Sequence, residues 1–513
     1  MMSLPPEPPT EPIPDPGRAG RPSLTARTVR GFAWSFTGSA GQAVLQIAAT
    51  VVLARLLTPE EFGSVAAALL VVGLTQLVTQ LGVAAALVHR RELTDRDVAA
   101  AFWFSVLLSA AMAGALYAFA PSVNGLVGLP DDSVLLRMLS VTLVLAGATA
   151  VPTGLLQREL RFRPMAVVDL LAAGPGIIGV SVALALLGFG AAALAWAEIA
   201  AALIKCVGYL ALTRPSVAVE APSTAWGRLR PMLNFGSGYS LTQLGNWIAL
   251  NADNLVVATV LGTGPLGVYT RAYNLLSEPA NVIGGAADKA LFPAMARVRD
   301  DGVRLRHAYV RTASLVALVT APAAVLLFVL APEVVHVLLG SQWDAVILPV
   351  QVFALVLLPR TSYKISTSLT RATGAVYRAA WRQWLYAGEV VLLCSIGASL
   401  WGVNGVAIGA SVAILAHFLV MLRFSARVSE DLMGAVLRMY VKHVPAVVAV
   451  ALASWAVAAA LRPVGSDVLT LAAAGAAGGL AAGAVLVLRR RRFAEELAVV
   501  ANLRRGKTVP VPA

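Results

Sequence analysis

Charge is scarce in this chain. Asp, Glu, Lys and Arg make up only 13% of its 513 residues, about half the share on an ordinary soluble domain. A soluble enzyme of two or three domains is thereby excluded before any motif is read. Cysteine is nearly absent: Cys206 and Cys394 both sit in apolar runs, which reads as packing residues and argues against a disulfide framework or thiolate metal site. The five histidines are scattered, with no metal-ligand spacing. Aromatic residues amount to 7%, whereas glycine occurs 43 times, a balance suited to helices that approach closely through small residues.

What is present is apolar sequence: 58% hydrophobic residues and a mean hydropathy of +0.77. A bilayer-crossing helix needs about 20 predominantly apolar residues. Runs of that kind occur at 31–56, 62–88, 98–120, 134–156, 165–187, 191–213, 233–261, 266–296, 309–331, 345–369, 378–400, 403–424, 443–461 and 467–488. They predict an all-α polytopic membrane protein with about 14 transmembrane helices, called spans 1 to 14 below.

The basic residues sort by loop. If the N-terminus is inside, the tails and even-numbered loops hold 32 of the 40 Lys and Arg, the outer loops hold only Arg462, and seven lie within spans. That asymmetry predicts a cytoplasmic-membrane protein with both termini cytoplasmic. The net charge of +13 is then a topology signal, and no nucleic-acid partner is expected.

One internal repeat is visible. Leu53-Ala-Arg-Leu-Leu-Thr-Pro-Glu-Glu-Phe-Gly63 matches Val257-Ala-Thr-Val-Leu-Gly-Thr-Gly-Pro-Leu-Gly267 at a shift of 204 residues, or six spans. An even shift preserves orientation, so the two halves are parallel repeats about an axis along the membrane normal. The expected organisation is a disordered cytoplasmic tail (1–27), an N-lobe of spans 1–6 (28–213), a cytoplasmic linker (214–232), a C-lobe of spans 7–12 (233–425), two appended helices (426–488) and a basic tail (489–513). The run Arg489–Arg492 directly after span 14 reads as a stop signal or an anionic-lipid contact.

Motifs borrowed from soluble enzymes fail on context. Gly174-Pro-Gly-Ile-Ile-Gly179 has the letters of a dinucleotide-binding pattern but lies within a span with no preceding strand, so a kinked or closely packed helix is expected. Gly506-Lys507-Thr508 resembles the end of a phosphate loop, yet Ala501 occupies the place of its first glycine. No catalytic residues, cofactor or metal site are expected.

Polar residues inside spans are costly in hydrocarbon and usually face a bundle interior or a wet cavity. Tyr239, Gln243, Asn246, Asp253 and Asn254 of span 7 fall within an arc of about 100°. Arg271, Asn274, Glu278, Asn281 and Lys289 do the same in span 8. Span 1 carries Ser35, Ser39, Gln42, Gln46 and Thr50 on one stripe, and span 2 carries Thr75, Gln76, Thr79 and Gln80. Matching stripes in both halves predict a hydrophilic cavity between two lobes; interhelical hydrogen bonding within each lobe is the alternative. Asp253 and Arg271 lie ~12 and ~8 Å below the outer surface, close enough to pair. Glu198 and Lys205 share a face of span 6 and read as a structural ion pair. Arg360 and Lys364 stack one turn apart on span 10.

The segments Gly238-Tyr-Ser-Leu-Thr-Gln-Leu-Gly-Asn-Trp-Ile-Ala-Leu-Asn-Ala-Asp-Asn-Leu and Leu261-Gly-Thr-Gly-Pro-Leu-Gly-Val-Tyr-Thr-Arg-Ala-Tyr-Asn-Leu275, with Gln157-Arg-Glu-Leu-Arg-Phe-Arg163, resemble bacterial polysaccharide flippases. These are the Wzx-type, colanic-acid or teichuronic-acid exporter branch of the multidrug/oligosaccharidyl-lipid/polysaccharide superfamily. The resemblance covers roughly residues 28–425. It implies two six-helix lobes around a V-shaped cavity lined mainly by spans 1, 2, 7 and 8. It also implies alternating access that moves an undecaprenyl-diphosphate-linked oligosaccharide from the inner to the outer leaflet for surface polysaccharide or lipopolysaccharide synthesis, with a polysaccharide polymerase as a possible partner alongside membrane lipid. Related peptidoglycan-precursor flippases carry paired arginines high in both lobes. The counterparts here are Arg55 and Arg271, although Arg55 lies on the side of span 1 opposite its polar stripe. The expected substrate-binding residues are Arg271, Asn274, Glu278, Gln243, Asn246, Asp253, Gln42, Gln46 and Arg55. Alternatives are a cation-coupled multidrug exporter of the same superfamily and a membrane glycosyltransferase or polymerase. The latter would want a large outer loop with clustered acids or arginines; loops 121–133 and 332–344 are short and lack Lys and Arg.

Overall fold

The computed structural model describes residues 48–80, 82–90, 92–131, 133–218, 222–297, 301–372, 376–427 and 432–494, with 496 and 498. These residues are all-helical with turns, as expected. Among the described residues, ten helices are long and apolar enough to cross a membrane, or eleven if one bent pair counts as a span. Local sequence explains how this reconciles with fourteen runs. Of span 1, only the helical turns 48–56 lie among the described residues. Span 8 is one long helix, Thr263–Arg297, whose Arg271, Glu278 and asparagines keep it out of the apolar count. Span 10 is the bent pair, Ser341–Leu355 and Leu357–Thr370, breaking by 47°. Pro359 in the second half has no N–H to return to the carbonyl of Leu355, which accounts for the break.

Spans 11 and 12 run through a single assigned helix, Val376–Ala426, with non-helical backbone at Trp401 and Gly402 (φ 57°). The chain reverses there. A Cβ on Gly397 would lie 2.1 Å from the carbonyl oxygen of Gly405, and one on Gly409 would lie 2.4 Å from that of Leu393. Positions 397 and 405, and 393 and 409, are equidistant from residue 401, so two antiparallel helices touch backbone to backbone. Only glycine permits that approach.

Span 2 starts where a capping box predicts. The Glu61 carboxylate accepts from the Thr58 backbone N–H at 2.8 Å, and the Glu61 N–H donates to the Thr58 hydroxyl at 3.3 Å. Pro59 follows at the first helical position, where a missing N–H costs nothing. The same rule shortens the expected linker. Pro222 opens the helix Pro222–Leu261, so the second half of the stretch 214–232 is a helical extension of span 7. Its first half packs against span 3, with the Trp103 indole N–H donating to the carbonyl of Val217 at 3.1 Å. In span 5, Gly174–Gly179 falls in a π-helical stretch, Ala172–Gly179, that accommodates Pro175. A Cβ on Gly176 would stand 3.1 Å from Cα of Ala201 on span 6, the close packing expected of that glycine run.

Span 13 (Leu432–Leu461) and span 14 (Asp467–Leu488) pack on one another and against span 9 (Gly302–Val329). Both cysteines are buried and free.

Candidate functional site

The two copies of the internal repeat meet in space. A Cβ on Gly63 would lie 1.7 Å from the carbonyl oxygen of Thr263, and a Cβ on Gly267 would lie 1.8 Å from that of Pro59. Position 59 corresponds to 263, and 63 to 267, at the same 204-residue shift. One reciprocal contact, seen twice, therefore joins the starts of spans 2 and 8. Self-complementary contact of this sort is what a two-fold relation between matching elements produces.

Aromatic and polar groups surround this junction. The guanidinium of Arg271 lies 4.1 Å from the centroid of the Phe62 ring, one turn below Gly267 on span 8, so a cation from one repeat stacks on an aromatic ring from the other. Phe62 also meets Trp343 edge-on at 5.5 Å. The Trp343 indole N–H donates to the carbonyl of Ala54 at 2.8 Å, and the Gln342 amide donates to the carbonyls of Ala54 and Leu57. The 3₁₀ turn Ser341–Val346 that opens span 10 thus packs onto the end of span 1. Trp343 is fully buried. Its role escaped the sequence reading, because a lone tryptophan in a short loop carries no periodic signal.

Below the junction, span 8 presents a polar stripe. Asn274, Glu278 and Asn281 are exposed and recur at i, i+4 and i+7, one face of the helix. The Lys364 ammonium joins from span 10, donating to Oδ1 of Asn281 at 2.8 Å and to the carbonyl of Ala280 at 3.2 Å. On span 7, Asn246 is exposed and Gln243 half-buried. Exposed amides and a carboxylate at the middle of spans demand water or a polar ligand. Arg271 stands half-buried at the head of this stripe, and its Nε has no hydrogen-bond partner among the described residues. A buried donor without a partner is costly, and an anionic group is the partner that would satisfy it best.

Other expected site residues fall elsewhere. Asp253 is buried within the C-lobe, where it accepts from the Tyr269 hydroxyl at 2.8 Å. Tyr269 stacks on Tyr273, whose hydroxyl accepts from Arg360 at 2.7 Å. A chain of tyrosines thus links Asp253 toward Arg360, and the structure gives this carboxylate to Tyr269 instead of the expected pairing with Arg271. Arg55 is exposed and donates to the carbonyl of Val337 at 3.0 Å, consistent with its place off the polar stripe. Gln42, Gln46 and the other polar residues of span 1 before Thr50 lie outside the described residues.

The N-lobe holds a cavity of about 370 Å³. Gln76 and Gln80 of span 2, Thr142 and Thr149 of span 4, and Glu198 and Lys205 of span 6 line it. Lys205 turns to Asp169 of span 5, with an N–O distance of 3.6 Å. Lys205 remains within electrostatic reach of Glu198, so the expected interaction within span 6 is joined by a contact between spans.

With this geometry in hand, comparison with known proteins is informative. Residues 52–348 match the family model described as polysaccharide biosynthesis protein. The chain is similar to the succinoglycan biosynthesis transport protein ExoT of Rhizobium meliloti (strain 1021), at 31% identity over 63% of this chain and 65% of that protein. It is also similar to the lipopolysaccharide biosynthesis protein WzxC of Escherichia coli (strain K12), at 25% identity over 75% of this chain and 78% of that protein. Among solved structures, an inward closed conformation of the lipid II flippase MurJ matches with a TM-score of 0.71 at 12% identity, covering 89% of this chain and 99% of that one. An inward-facing multidrug resistance transporter of the MATE family matches with a TM-score of 0.60 at 18% identity, covering 77% and 95%. At these identities the two structures establish the shared fold, a polytopic all-helical architecture.

Proposed function

The chain belongs to the polysaccharide biosynthesis protein family, and from that membership we propose that it is a flippase for lipid-linked oligosaccharide. The substrate is an oligosaccharide on a polyprenyl diphosphate, moved from the inner to the outer leaflet of the cytoplasmic membrane by alternating access of two lobes. Both termini are read as cytoplasmic, from the arginine asymmetry of the loops. That orientation puts the Gly63–Gly267 junction on the outer side.

The observation that carries the reading is the open polar stripe Asn274–Glu278–Asn281, headed by Arg271 with its unfilled Nε donor. A diphosphate and a string of sugar hydroxyls cannot cross hydrocarbon bare. Amides and a carboxylate at membrane depth replace the hydration of the sugar hydroxyls, and a guanidinium replaces that of the phosphates. The prenyl tail needs no such shelter and stays in lipid. Work comes from differential affinity of the two lobe arrangements for substrate and for a coupling gradient. An outward-moving anion gains about 2.3 kcal/mol per charge per 100 mV. Arg271, Asn274, Glu278, Gln243 and Asn246 are assigned to the headgroup path. Asp253, buried in the C-lobe and bonded to Tyr269, is left out of the headgroup path. No residue is assigned a catalytic role.

The test is Arg271→Ala in the producing cell. Loss of surface polysaccharide with normal protein in the membrane is expected, and undiminished export would remove Arg271 from the path.

A further inference from the structure

The segment between spans 9 and 10, outer in the orientation proposed above, holds two parts of the molecule at once. It consists of a short helix, Ala331–Leu338, and the 3₁₀ turn Ser341–Val346. Pro332 stands in the first turn of the helix, where a missing N–H costs nothing. Gly340, at φ 102°, ends it by donating its N–H to the carbonyls of Val335 and His336 at 3.1 Å. Helix, glycine turn and 3₁₀ turn follow one another without slack.

One side of this segment is bonded to the outer end of span 1. The Arg55 guanidinium donates to the carbonyl of Val337 at the helix C-terminus, where carbonyls lack helical partners and a cation is favoured. Between them, Gln342 and Trp343 donate to the carbonyls of Ala54 and Leu57. The Trp343 ring meets Phe62, the neighbour of Gly63 at the junction.

The other side is bonded to spans 13 and 14, the pair outside the internal repeat. Buried Glu333 pairs at 2.8 Å with Arg462, in the turn between those spans. Leu330 and Val334 pack with Val457 and Ala458 of span 13 and with Leu471 and Ala474 of span 14. His336 completes the attachment, with Nδ1 3.1 Å from the Asp467 carboxylate and Nε2 2.8 Å from that of Asp344. Only the cationic imidazole donates from both nitrogens; the neutral ring donates to one carboxylate and turns a lone pair toward the other. Among the described residues, the charged groups around it are these two carboxylates and the Glu333–Arg462 pair. The outer end of span 9 and the segment Ile347–Leu355, which also pack on the helix, bring none.

We propose that residues 331–346 are a strap holding the outer junction closed, that spans 13 and 14 anchor it, and that protonation of His336 tightens the anchor. The inference rests on the alternating-access reading above. Outward opening draws span 1 away from the C-lobe, and the strap resists only while its far end is fixed. Burial lowers the His336 pKa, but the two carboxylates outweigh burial and raise it above the ordinary imidazole value. The tightened state is therefore complete below the ordinary value of ~6.5 and fades as external pH rises through the raised one.

The experiment follows labelling of Leu266→Cys, a position fully buried beside the junction, by a membrane-impermeant maleimide added outside at pH 5.5 and 8.5. Proteins with and without His336→Gln are compared at the same pH, where thiol ionisation cancels. An ion contact between partners this exposed shifts an equilibrium by up to about fivefold. His336→Gln should thus label about two- to fivefold faster than its parent at pH 5.5 and at the same rate at pH 8.5. Asp467→Asn should act likewise at pH 5.5, and adding it to His336→Gln should give little more. A rate ratio that is the same at both pH values would overturn the role of His336. Asp467→Asn without effect at pH 5.5 would overturn the anchoring by span 14. Labelling follows the junction and not the substrate, so its outcome and that of a flipping assay are read separately.

Discussion

Gly267→Ala is the smallest change that should open the outer junction. The added Cβ would lie 1.8 Å from the carbonyl oxygen of Pro59, where real Cβ contacts essentially never fall under 3.0 Å. The obstacle is backbone, so no side chain can rotate away; the helices must separate by about 1 Å or more. Overpacking of this kind costs about 1–3 kcal/mol, and a backbone-on-backbone clash belongs toward the upper end. If that cost falls only on the closed arrangement, 2–3 kcal/mol shifts the closed-to-open ratio roughly 30- to 150-fold. A cysteine at Leu266, fully buried beside the junction, reports the shift through its labelling rate with a membrane-impermeant maleimide added outside. Both native cysteines are buried and stay quiet. Gly63→Ala should do the same, because its Cβ would meet the Thr263 carbonyl at 1.7 Å. Separating the helices relieves both clashes together, so the double variant should shift labelling by less than the product of the singles. An unchanged labelling rate in folded Gly267→Ala protein would refute the reasoning.

Two further outcomes follow from local geometry. Gly405→Leu forces a Cβ to 1.9 Å from the Gly397 carbonyl oxygen and should lower the melting temperature in detergent by the equivalent of about 3 kcal/mol, whereas Gly388→Ala, with open space around it, should change it little. His336, outside the spans in the short helix Ala331–Leu338, bridges Asp344 at 2.8 Å and Asp467 at 3.1 Å at the starts of spans 10 and 14; burial lowers its pKa, but the two carboxylates outweigh that and hold it above the ordinary imidazole value. Its contribution is therefore complete below the unfolded imidazole pKa of ~6.5 and disappears as pH rises through the raised value. The stability deficit of His336→Gln, under about 1 kcal/mol for so exposed a pair, should be measurable by thermal melting at pH 5.5 and vanish near pH 8.5.

Hydropathy and the helical period made much of this fold legible. Apolar run length located the spans, and the gap between 400 and 403 anticipated the reversal at Trp401–Gly402. The helix starts were not read: span 2 begins at Pro59, before the expected run 62–88, and the proline-rich look of 214–232 masked the helix that Pro222 opens. The repeat was visible as a string match, but that Gly63 and Gly267 touch each other required three dimensions. Partners escaped prediction wherever they join different elements. Asp253 finds Tyr269 across a helix turn-around, Lys205 finds Asp169 on a neighbouring span, and Trp343 reaches Ala54 from nearly 290 residues away. The polar face of span 8 was legible because it repeats along a single helix.

Flipping by the purified protein tests the account most directly. Proteoliposomes made with a labelled polyprenyl-diphosphate oligosaccharide start with the sugar on both leaflets. A membrane-impermeant hydrolase added outside should release about half the label without the protein and nearly all of it with the protein, and Arg271→Ala should return the system to the protein-free course. Release that stops at the same fraction with and without the protein would contradict the central claim.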